Sequence, residues 1–172
     1  VGRFVGKAAL ASVGGPAAVI ANIVITFFNG LANGAAVIIA QYYGSRDEKR
    51  LHVGLHTAYA FSIMTSIAVT VVGVIGTPHF LKWMNTPEDM MADSTIYLRV
   101  YFLGIIFTLV YNMGAAIMRA AGDSRRPLLY LVVCSVMNII LDIVMVVFLH
   151  MGIAGAALAT VISQGVSCVW VV

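Results

Sequence analysis

Charge is what this chain has least of. Lysine, arginine, aspartate and glutamate together make up 10% of its 172 residues, against about 25% in an ordinary soluble domain, too few to cover a water-facing surface. Cysteine is almost missing too. Cys134 and Cys168 lie in separate apolar stretches without C-x-x-C or zinc-type spacing, which argues against a disulfide scaffold or zinc module and makes both thiols buried packing residues. There is no HExxH, GxSxG or P-loop string, so neither an enzyme nor a cofactor-binding protein is expected. The opening VGRFVGKAALASVGG carries charges and glycines where a signal peptide would be continuously apolar. Ten-residue stretches of alternating polarity, the mark of a barrel strand, are not visible either.

What is present is hydrocarbon. The chain is 61% hydrophobic with a mean hydropathy of +0.98, and several apolar runs exceed the roughly 18 residues that mark a spanning helix. The expected fold is therefore an all-α, polytopic membrane helix bundle with spans at about 16–41, 53–76, 95–120, 128–149 and 153–172. Pro16 and Pro127 suit helix starts, Gly122 suits a helix end, and Trp83 suits a membrane interface. The chain opens at Val1 and closes on an apolar CVWVV, so it reads as a piece of a longer protein. Residues 1–15, with Arg3 and Lys7, read as the outer end of a preceding helix and a turn.

The net charge of +3 sits in short loops, which points to membrane orientation and not to nucleic acid. Arg46, Lys49 and Arg50 follow the first span, and Arg119, Arg125 and Arg126 follow the third. The positive-inside rule then places loops 42–52 and 119–127 in the cytoplasm of a cell (inner) membrane protein. The loop with Glu88, Asp89 and Asp93 lies outside; Arg3 and Lys7 run against the rule but flank an unseen span. His52 and His56 are one turn apart without a third ligand and read as interface histidines.

Inside the first span, Asn22, Thr26, Asn29 and Asn33 recur near helical spacing beside Gly30 and Gly34. This pattern reads as a close packing seam, with a solvent-facing lining as the alternative. Thr65, Ser66 and Thr70 are expected to bond back to their own helix. The fifth span opens with small residues, Gly155, Ala156, Ala157, Ala159 and Thr160, and its short link to the fourth implies an antiparallel hairpin.

Asp142 is the one acidic residue within an apolar span. An aspartate at the middle of a spanning helix costs roughly 2.5–3.5 kcal/mol on insertion scales and marks an ion or proton path by default. Asn138 lies one turn earlier on the same face. Together they offer oxygen ligands, which suit Na+ or a proton better than a soft metal. Counting from the turn of the hairpin, the Thr160 hydroxyl falls at the level of this pair. A bare buried carboxylate is disfavoured and both Na+ and a proton relieve it, so the two should compete. Tyr111, Asn112, Met113 and Met137 are candidates for lining a substrate cavity, although packing is the commoner role for such residues.

The strings VGRFVG, ALASVGGP, NGLANGAAVIIAQYYGS, MNTPEDM, YLRVYFLG, IMRAAGDSRRPL, NIILDIV and GAALATVISQ, in this order, resemble the amino-terminal half of the multidrug and toxic compound extrusion (MATE) family. The resemblance covers essentially the whole chain, and R-A-x-G-D-[ST]-R-x-P-L followed by N-x-x-x-D is its most specific part. It implies two lobes of six helices, of which the five spans here would be the second to sixth of the first lobe. It also implies export of organic cations or drugs in exchange for Na+ or H+. The partners would be membrane lipid, the drug, and a second lobe of the same chain. The family's cation site would map onto Asn138, Asp142 and Thr160, with a further aspartate on a first helix absent from this sequence. Na+ at Asp142 is the only metal implied. A lipid or polysaccharide-precursor flippase of the related superfamily and a passive channel are the alternatives.

Overall fold

The computed structural model describes residues 14–171, all of its regular structure helical. Helix α1 is Pro16–Gly44, α2 Glu48–Trp83, α3 Glu88–Ala120, α4 Arg125–Asp142, and α5 Gly152–Val171; α4 runs on as a π-helix over Ile143–Phe148. All five are long and apolar enough to cross a membrane. The expected turn over residues 1–13, Arg3 and Lys7 included, lies outside the described residues.

Two spans are longer than the hydropathy pattern marks. Helix α2 begins at Glu48, where the Asp47 side chain accepts a hydrogen bond from the Arg50 backbone N–H at 3.0 Å, an N-cap that hydropathy does not register. It then runs through Pro78 to Trp83. Proline removes one backbone donor, but Thr77 donates its hydroxyl to the Gly73 carbonyl at 2.6 Å, adding a bond in the turn that the ring weakens. Helix α3 starts at Glu88 with Glu88 and Asp89 in its first turn, where negative charge is favourable. The loop between α2 and α3 therefore shrinks to residues 84–87.

The turns share one device. Arg46, Asn85, Gly122, His150 and Gly152 all adopt positive φ, reversing the chain within a few residues and forcing consecutive helices to pack antiparallel. Helix α3 is the hub: it packs against α1, α2 and α5, while α4 rests mainly on α5. Phe102, Leu98, Ile105 and Leu81 fill one core, together with Ala17 and Ala21 of α1. Nearer the basic loops, Met113 and Ala116 of α3 meet Ala32, Ile39 and Ala58 in a second.

Hydroxyls are mostly spent on nearby carbonyls. Ser66 donates to Ile63 at 2.8 Å, as expected, but Thr70 reaches across to the Phe102 carbonyl of α3 at 3.0 Å. The stripe on α1 also departs from the expected packing seam. A Cβ at Gly30 or Gly34 would meet nothing within 4 Å, and Asn22, Thr26 and Asn33 are exposed, so no described helix occupies that face. Cys134 is buried and Cys168 half-buried, both free. The His52 and His56 rings stack 6.4 Å apart.

Tight contact between α3 and α5 depends on Gly104, where a Cβ would stand 2.2 Å from Cγ2 of Val161. Overpacking of this kind costs about 1–3 kcal/mol. Gly104→Ala is expected to lower the thermal stability of the purified protein by that amount, and pairing it with Val161→Ala should recover part of the loss. Strictly additive effects in this double-mutant cycle would rule out the close approach.

Candidate functional site

Helix α4 is bonded in place at its start and leads into a tight turn at its far end. At its start the Asp123 carboxylate accepts from the backbone N–H groups of Arg125 and Arg126 at 3.1 and 3.2 Å and pairs with the Arg126 guanidinium at 3.2 Å. The buried Tyr111 hydroxyl donates to the Pro127 carbonyl at 2.9 Å, tying the first turn of α4 to α3. At the far end His150 and Gly152 turn the chain, so α5 runs back along α4 as the expected hairpin.

The hairpin brings Asn138 and Thr160 together. The Asn138 amide donates to the Thr160 hydroxyl at 3.4 Å, a long and therefore weak bond, and Thr160 passes its own proton to the Ala156 carbonyl at 3.0 Å. This direction of donation leaves the Asn138 carbonyl oxygen without a hydrogen-bond partner among the described residues. One turn along α4 stands Asp142, half-buried, with its Oδ1 buried and without a hydrogen-bond partner among the described residues. A buried carboxylate oxygen without a described partner, one turn from an uncommitted amide oxygen, has the donor chemistry that a hard cation takes, and a carboxylate so placed can equally accept a proton.

Asp142 is not at the middle of its span. It is the last α-helical residue, 17 positions after Arg125, and the π-helix begins immediately after it. At about 1.5 Å per residue this puts it roughly 26 Å from the start of α4, close to the end facing the acidic loop. In the π turn the Leu149 N–H donates to the Val144 carbonyl at 3.0 Å, five residues back, and such turns recur at functional sites. Apolar periodicity carried no sign of it, because Ile143–Phe148 is uniformly aliphatic and aromatic apart from Met145.

Two neighbours escaped the sequence reading. Tyr97 of α3 lies within electrostatic reach of Asp142 and stacks on Tyr101 with ring centroids 6.3 Å apart; the one-turn spacing of the two tyrosines was the available signal. Gln164, one turn beyond Thr160, also holds a buried side-chain oxygen without a partner among the described residues.

The four cavity candidates separate. Tyr111 and Asn112 line a groove of about 570 Å³ between α1, α3 and α4, with Asn29, Asn33 and Arg119. Met113 does not face it: it is 3% exposed in the α1–α2–α3 core, and its atoms floor a separate crevice between α1 and α2. Adjacent residues on a helix point about 100° apart, and that rotation turns Met113 into the core while Asn112 opens onto the groove. Met137 is half-buried and lines none of these cavities.

A family model described as MatE matches residues 1–144. The chain is similar to the probable multidrug resistance protein YoeA of Bacillus subtilis (strain 168), 34% identical over 167 residues, covering 95% of this chain and 36% of that protein. It is similar to the probable multidrug resistance protein YpnP of the same organism, 34% identical over 170 residues, covering 97% of this chain and 37% of YpnP. Its fold matches a crystal structure of a MATE protein in the bent conformation with a TM-score of 0.91 at 27% identity, covering 99% of this chain and 38% of the other. The chain thus spans a little over a third of the length of these relatives.

A buried polar atom left unpaired costs about 1–3 kcal/mol. Asp142→Leu is therefore expected to raise the thermal stability of the purified full-length protein in sodium-free buffer, by an amount near the lower end of that range because the residue is only half-buried. A fall in stability would mean that the carboxylate has a structural partner and is not held in reserve for a ligand.

Proposed function

This chain belongs to the multidrug and toxic compound extrusion (MATE) family, and we propose that it forms the amino-terminal lobe of an antiporter that exports drug-sized organic molecules, organic cations among them, against an inward flow of Na+ or H+. The observation that carries this reading is the Asn138–Thr160 bridge with the unpartnered Asp142 Oδ1 one turn away. Asp142, Asn138 and Thr160 form the coupling site.

The chemistry follows from the cost of a buried charge. A bare carboxylate in that position is unfavourable, and either a proton or Na+ removes the penalty, so occupancy by one excludes need of the other. A bound cation drives a conformational change only through differential affinity for two states. The π turn after Asp142 supplies a backbone whose hydrogen-bond register differs from that of the α-helix before it, and is where such a difference would be stored.

The basic loops 42–52 and 119–127 are on the cytoplasmic side of the cell membrane in this reading. Asp142, late in α4, then lies in the outer half of the lobe, with a short path for cations arriving from outside. The open faces of α1 and α4, whose most apolar windows are each only 11% buried, await a second lobe, and substrate occupies the space between. The relatives' names speak of multidrug resistance, which supports drug export over a lipid or polysaccharide-precursor flippase.

Efflux from cells carrying the full-length protein, measured under separately imposed Na+ and proton gradients, tests the coupling. One gradient should drive efflux, and Asp142→Asn should abolish it while the protein still reaches the membrane. Efflux that persists after both gradients collapse would identify a passive channel, and efflux unaffected by Asp142→Asn would remove the coupling role. Orientation is tested separately, with Cys134 and Cys168 replaced by alanine. A cysteine at Asp89 should react with an impermeant thiol reagent in intact cells, and one at Lys49 only after lysis; the reverse pattern would invert the topology.

A further inference from the structure

The groove between α1, α3 and α4 has a chemistry of its own. Its lining contains Asn29, Asn33 and Asn112, the Arg119 guanidinium and Ser124, and no carboxylate. Among the described residues none of the three amides makes a side-chain hydrogen bond, and the Arg119 side chain makes neither a hydrogen bond nor an ion pair, although Arg50 and Arg126 each hold an aspartate. Tyr111 contributes wall only, since its hydroxyl is committed to Pro127. At about 570 Å³ the groove is the size of a drug pocket, for which roughly 300–1,000 Å³ is usual. It is also remote from the coupling site. Leu131, its last lining residue on α4, precedes Asp142 by 11 positions, or about 16 Å of helix.

Resting on the antiporter reading, we infer that this groove is a subsite for the carboxylate of a substrate, so that the transporter prefers zwitterionic or anionic aromatic compounds to permanent cations at this wall. The planar guanidinium fork matches a carboxylate in two parallel N–H···O bonds, and amide N–H groups from α1 and α3 supply further donors. A permanent cation finds no counter-charge here and meets Arg119 as a like charge. Arg119 also sits in the last turn of α3, where any cation is favourable to the helix. That role depends on charge alone and does not distinguish an acid from its ester.

The experiment uses a rhodamine dye with a free carboxylate and the methyl ester of the same dye, titrated by fluorescence anisotropy against the purified full-length protein, and both dyes followed in gradient-driven efflux. A charge-assisted hydrogen bond is worth about 1.5–3 kcal/mol, which corresponds to roughly tenfold or more in Kd. The acid should bind about tenfold more tightly than the ester. Arg119→Gln should weaken the acid by that factor and leave the ester unchanged or tighter, and Arg119→Lys should fall between. Tighter binding of the ester by the unmodified protein, equal losses for both dyes in Arg119→Gln, or binding of neither dye would each overturn the subsite. Binding that discriminates in this way without gradient-driven efflux of either dye would instead overturn the antiporter reading and leave the subsite standing.

Discussion

Hydrocarbon offers no hydrogen bonds, and the rest of this structure depends on that constraint. Every backbone group within a span must be satisfied by the protein, which leaves the helix as the element available to a chain without barrel alternation. The same pressure acts on side chains. Thr77, Ser66 and Ser163 return their protons to carbonyls of their own helices, and Thr70 spends its hydroxyl on a neighbouring one. Against this accounting a buried oxygen left without a partner is conspicuous. In a soluble protein a water would meet Asp142 Oδ1 at small cost; in a bilayer the unmet acceptor is a standing penalty that a ligand or a proton relieves.

The second constraint is steric. With lipid as apolar as leucine, helices gain by approaching closely, and small residues set how closely. Gly104 against Val161, and Gly73 beneath the Phe102 ring, draw α5 and α2 onto α3 and make it the rigid centre of the lobe. The small residues of α1 are used differently. Gly30 and Gly34 face open space beside exposed asparagines, so the pattern that reads as a seam inside the lobe is a surface that the described helices leave free. The sequence motif is the same in both cases, and only the position of the partner differs.

That distinction explains what could be read in advance. Helix number, the hairpin and the meeting of Asn138 with Thr160 all follow from counting along a periodic chain, and they were legible. Helix ends set by a cap at Asp47 or by a hydroxyl beside Pro78 were not, because hydropathy does not register hydrogen bonds. Side-chain direction at the level of neighbouring positions was also hidden: Asn112 opens onto the groove and Met113 fills the core, though both stand in the same apolar run. The π-helix after Asp142 leaves no periodic trace, and Tyr97 comes within electrostatic reach of Asp142 from a helix distant in sequence. The family resemblance tied Asn138, Asp142 and Thr160 to one site, yet it said nothing of Gln164.

Charge within the lobe is divided by depth. An acid stands toward the acidic-loop end and an arginine without an ion-pair partner among the described residues toward the basic-loop end, on two helices joined by the Tyr111–Pro127 bond. Sites this far apart do not interact usefully by direct attraction, since even the about 16 Å of helix between Asp142 and Leu131, the groove's last lining residue on α4, exceeds the roughly 8 Å screening length of physiological salt wherever water enters. Any coupling between a cation at Asp142 and a substrate at Arg119 must therefore travel through packing, as a difference between two arrangements of α4. Helix α4 is suited to carry it. One end is bonded to the hub through Tyr111, the other ends in a π turn, and α4 as a whole rests mainly on α5 rather than on the hub. In the antiporter reading, an element pinned at one end, loosely covered along its length and irregular at its other end is where binding at either site would be felt as a change of packing.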